Sequence, residues 1–161
     1  MMNSLLLWIH IVAGILWVGG LFFIIWGVYP ATRVLPVLRQ KQFLLQLMKW
    51  SHKGFSIAGI TVIITGFLMG IGGTVNRWEM LFTTYYGKWW ITSLVIGLCT
   101  LVWGTFIGYR AFIRMLTREI IWKMAEKGYP RLLYFSIVKV VFISSIEGLG
   151  FFILILLMVI I

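Results

Sequence analysis

Apolar positions fall in four long runs, at about 5–29, 54–73, 88–109 and 132–160, separated by segments that hold nearly all the charge. Each run is long enough for a helix that crosses a hydrocarbon core of roughly 30 Å, which takes about 20 residues. Tyr29-Pro30 is expected to stop the first helix, because proline removes a donor and restricts the residue before it. The next stretch, Val34 to Trp50, mixes Leu35, Phe43, Leu44, Leu47 and Trp50 with basic residues. That mixture predicts an amphipathic helix lying in the membrane interface as a lipid-facing anchor. The third helix is expected to run past its apolar part through Arg110, Arg114 and Arg118, until Gly128-Tyr129-Pro130 breaks it.

Within the runs, small residues recur at helical spacing. The second carries Gly59, Gly66, Gly70 and Gly73, and the third carries Ser93, Gly97, Gly104 and Gly108. Pairs four apart let helix backbones approach closely in lipid, and they also make room for a flat cofactor. The fold class is therefore all-α: an integral membrane four-helix bundle in a single domain covering 1–161.

Composition sharpens this picture. Hydrophobic residues make up 61% of the chain and mean hydropathy is +1.03, which places it outside the soluble range. No basic residue precedes the first run and aromatic residues continue well beyond signal-peptide length, so it is read as retained. The formal charge of +10 would suggest nucleic acid in a soluble chain, but here the cations flank the apolar runs and no nucleic-acid partner is expected. Arg33, Arg39, Lys41, Lys49 and Lys53 lie between runs one and two; Arg110 through Arg131 lie between runs three and four. Between runs two and three stand only Arg77, Glu79 and Lys88. Basic loops stay cytoplasmic, so both termini are expected outside a bacterial inner membrane whose inner leaflet supplies anionic lipid. Trp8, Trp78, Trp89 and Trp90 would form the outer aromatic belt, and Trp50 and Trp122 the inner one.

Candidate chemistry rests on a few polar residues at depth. His10, Gly14 and Trp17 share one face of the first helix, and an imidazole inside an apolar run marks a functional site. Glu147 sits near the middle of the fourth run with Ser144 one turn away, a pair suited to handling protons or cations. His52 belongs to the opposite leaflet, and His10 is about 27 Å from the inner end of its own helix at 1.5 Å per residue, so the two should not meet. His52 is an interfacial residue or part of a second, inner metal or proton site. The outer level should hold His10, Met69, Tyr85, Tyr86, Trp89 and Met158, and imidazole with thioether suits cuprous ion or haem iron. Met69 and Met158 are equally at home as packing residues. A path lined by Gly14, Gly66, Ser93, Gly97 and Ser144 would carry a dehydrated cation. Cys99 has no partner for a disulfide, and no C-x-x-C-H or nucleotide-binding loop is present.

His10-x6-Trp17-x2-Gly20-Leu21 resembles the first helix shared by CopD-like copper-resistance membrane domains and HemJ-type protoporphyrinogen oxidases. Thr84-Tyr85-Tyr86-Gly87-Lys88, Thr65-Gly66-Phe67-Leu68 and Glu147-Gly148-Leu149-Gly150 look more like the CopD side. That side implies copper bound through His10 and moved or handed over, with a separate periplasmic copper chaperone to capture it. The HemJ side implies haem b on the histidine matching His10, and porphyrinogen oxidation. A third expectation is a non-catalytic accessory subunit that docks a larger membrane complex through its arginine ladder.

Overall fold

The computed structural model describes residues 2–72 and 79–160; Gly73, Arg77 and Trp78 lie outside the described residues. Four helices in it are long and apolar enough to cross a membrane: Ser4–Val34, Val37–Ile71, Tyr85–Thr117 and Arg131–Val159. Among the described residues there are no strands. The helices run up, down, up and down, each packing on the next. The first and fourth meet through aromatic rings, Trp17 edge-on to Phe151 at 4.9 Å and Phe22 against Phe152 at 5.8 Å. Trp26, Phe142 and Val159 point outward and are largely exposed, the arrangement of a surface whose solvent is lipid.

Several boundaries differ from expectation, each for a physical reason. Pro30 does not end the first helix. A π-helical turn, Ile24–Val28, directly precedes it and takes up the donor that proline lacks. The chain leaves helical conformation at Leu35 instead, which is extended because Pro36 follows it. The Thr32 hydroxyl fastens this corner, donating to the Tyr29 carbonyl at 2.7 Å and accepting from Gln40 at 3.2 Å.

The amphipathic segment is not a separate interfacial helix. It is continuous with the second long helix as Val37–Gly72, whose 36 residues span about 54 Å, well beyond a core of roughly 30 Å. One face of it also packs inward, while Phe43 and Trp50 are exposed. Leu44 is buried against Leu116, Ile121 and Trp122 in an apolar cluster at the basic end of the bundle. Trp122, 1% exposed and donating to the Met115 carbonyl at 3.1 Å, is therefore core rather than belt, and Trp90 is likewise buried. The helical extension of the third helix ends at Thr117, and Arg118 is extended. Arg118 thus leaves the expected ladder, and a short helix, Glu119–Glu126, follows before Gly128 turns the chain at φ +90°.

Candidate functional site

Between the four helices lie two partly open cavities, one toward each end of the bundle, and Trp17 lines both. This indole is 3% exposed and belongs to a π-helical turn, Ile15–Gly19. Its seat exists because residue 59 is glycine: a Cβ there would stand 3.0 Å from the indole and 2.6 Å from Leu101. The single path expected through the bundle is thus two chambers separated by Trp17. Gly66, Ser93 and Gly97 line the first, Ser144 the second, and Gly14 lines neither. A Cβ on Gly14 would meet open space.

The first cavity, of about 430 Å³, is walled by His10, Trp17, Gly66, Met69, Trp90 and Met158, with aliphatic neighbours. Tyr86 joins them; Tyr85 and Trp89 do not. Glycines shape it. Gly66 leaves room for the His10 ring, whose Cε1 would lie 3.2 Å from a Cβ there, and Gly70 leaves room for the Trp90 indole. That indole donates to the Gly66 carbonyl at 3.1 Å. The Gly66/Gly70 pair therefore accommodates side chains from two other helices rather than a neighbouring backbone.

His10 has a defined proton arrangement. Its Nδ1 lies 2.9 Å from the Thr65 Oγ1, and that hydroxyl is 2.6 Å from the Thr61 carbonyl and 3.2 Å from the Val62 carbonyl. Carbonyls only accept, so the single hydroxyl hydrogen goes to Thr61, the nearer one. In that arrangement Nδ1 carries the ring proton, with the Thr65 oxygen and the Val62 carbonyl as its acceptors, and Nε2 is the nitrogen with a lone pair to offer. A fixed tautomer of this kind is how a protein presents imidazole to a metal.

The second cavity, of about 60 Å³, is polar by comparison and contains His52, Ser56, Thr105, Ser144 and Glu147. Glu147 is 8% exposed, and its carboxyl enters a niche on the third helix where Gly104 and Gly108 stand in a π-helical segment, Trp103–Gly108. A Cβ on Gly104 would collide with that carboxyl. The Trp103 indole donates to the Ile143 carbonyl at 3.0 Å, one turn before Glu147, and so sets the register that brings acid and niche together. His52 lies flat on Tyr109, ring centroids 3.7 Å apart.

Of the residues expected to bind metal, His10, Met69 and Met158 share a cavity. His52 is in the other one, packed on an aromatic ring, and does not belong to that ligand set. Among the described residues no three of His, Cys, Asp and Glu come together. Beside His10 the side chains of this cavity with donor atoms are Met69, Met158, Tyr86 and Ser93. The sequence singled out Thr65 and Gly104 without showing that they position the two polar groups, and nothing in it pointed to Trp103. No family model, curated protein or solved structure matches the chain.

Proposed function

We propose that the protein is a membrane haem protein, with His10 as an axial ligand through Nε2 in the first cavity. The observation that carries this reading is one imidazole, its Nδ1 held 2.9 Å from the Thr65 hydroxyl, on the wall of an apolar chamber of about 430 Å³. That volume falls in the range of about 300–1,000 Å³ typical of small-molecule and cofactor sites, whereas a bare ion needs a small fraction of it. Haem iron takes imidazole alone or imidazole with thioether, so Met69 and Met158 are the second-ligand candidates on this wall. Met158 is half exposed and stands at the rim, which leaves Met69 the better placed. When bound, the group would supply one-electron or porphyrin chemistry. The chain's own part is to orient the imidazole, exclude water with Trp17 and Trp90, and keep the chamber apolar. The excess of basic residues at the opposite end supports an orientation with His10 and both termini on the outer side of the membrane and Arg110 and Arg114 toward anionic lipid.

The same two thioethers support a second reading, a cuprous-ion site of the kind the CopD resemblance implies. Division of the interior by Trp17 weighs against a through-path for the ion, so this reading is binding or hand-over rather than conduction. One purified sample separates the two. A Soret band with sharp reduced bands, lost in His10→Ala, is the expected result. Stoichiometric copper without a Soret band, after haem supplementation, replaces the haem reading by the copper one. Neither signal would leave the accessory-subunit expectation, tested by co-purification after mild solubilisation.

A further inference from the structure

We propose that the second cavity is a proton-binding site, in which a proton arriving from the basic end is passed through His52 and cavity water to the carboxylate of Glu147 and is stopped there by Trp17. The inference does not depend on what occupies the first cavity. Its first support is construction. Glu147 is not merely buried; a glycine pair on the third helix is hollowed to receive its carboxyl, and the Trp103 to Ile143 hydrogen bond locks the two helices in that register. Gly104 and Gly108 belong to a π-helical segment, a local irregularity that recurs at functional sites.

The second support is size. About 60 Å³ holds a small number of water molecules, since one needs roughly 10–15 Å³ of such space. An organic ligand does not fit. Hydroxyls of Ser56, Thr105 and Ser144 on the wall can hold those waters in a chain.

The third support is charge. From the second helix the cavity receives His52, from the third Tyr109, from the fourth Glu147, and from the first only Trp17 and aliphatic side chains. No lysine or arginine lines it, so a carboxylate here has no permanent counter-charge. Intramembrane acids in that situation face wet interiors and mark proton relays. The transfer is balanced: hydronium gives its proton to the carboxylate, leaving a neutral carboxylic acid and water, with no electron moved. His52, held flat by Tyr109 on the basic side of the cavity, is the relay that meets the proton first.

The experiment is infrared difference spectroscopy of the full chain in liposomes, titrated with acid. The expected result is a protonated-carboxyl carbonyl band that shifts in heavy water, disappears in Glu147→Gln and changes position in Ser144→Ala. His52→Phe, which keeps a ring on Tyr109, should slow the appearance of the band after a pH jump. Absence of any such band across the titration, or a band unchanged in Glu147→Gln, overturns the proposal. So does a band abolished by sodium at constant pH, which would make this a metal-cation site. A second measurement covers the barrier: Trp17→Ala should make liposomes leak protons under a membrane potential, and adding Glu147→Gln should abolish the leak. A leak indifferent to Glu147 contradicts the relay.

Discussion

The two cavities share the same four helices and one indole, yet they differ in every property that selects an occupant. The one at His10 is large and apolar with one imidazole on its wall, whereas the one at His52 is small, sets a few hydroxyls among apolar side chains and contains an acid. Each histidine is also restrained differently. A hydrogen bond ties the His10 ring to Thr65 on another helix, while ring stacking fixes only the plane of His52. The difference teaches that a membrane histidine is defined less by its depth than by what holds its second nitrogen.

The largest expected effect breaks the comparison outright. His10→Ala should remove all haem absorbance, while Glu147→Gln should leave the visible spectrum of the same preparation intact; loss in both would mean the cavities are not independent. Thr65→Val keeps shape and removes the acceptor for Nδ1, so haem retention should weaken by about 10–100-fold, the usual cost of a lost outer-shell partner, read by haem transfer to an apo-acceptor. Gly70→Ala puts a methyl into the rigid, hydrogen-bonded Trp90 ring and should cost about 1–3 kcal/mol in detergent unfolding, as overpacking does. Gly104→Ala meets the mobile end of Glu147 instead. Its stability loss should be smaller, with the change appearing in the carboxyl infrared band.

The smallest effect lies outside both chambers. Glu119 pairs with Lys123 at 3.0 Å on an exposed helix face, and the lysine holds the Glu119 carboxyl below the usual carboxylate range. A depressed carboxyl contributes above its unfolded-state value and loses that contribution as pH falls through the lowered one. Glu119→Gln should therefore leave both spectra unchanged and shift the melting temperature only slightly, and only above that acidic window.

Four apolar runs, the two polar residues at depth and the separation of the histidines were all legible in the sequence, because each follows from hydropathy and helical rise. What holds those residues was not. Thr65 is 55 residues from His10, and a helical threonine gives no sign that its oxygen will accept from another helix after donating to its own. The glycines were legible as a spacing but not as niches, since a missing side chain does not say what fills the space. Leu44 and Trp122 read as interfacial because their neighbours in sequence are charged; only the fold shows that they face each other. No residue type announces a π-helical turn, and without those turns Pro30 looks like a stop.

The fourth helix supplies Leu154 and Met158 to one cavity and Ser144 and Glu147 to the other, and it is the last of the four to leave the ribosome. Neither chamber has all its walls while the first three helices are being inserted. On both proposals, cofactor loading and proton uptake would wait for this helix, and a nascent chain halted before it should show neither signal.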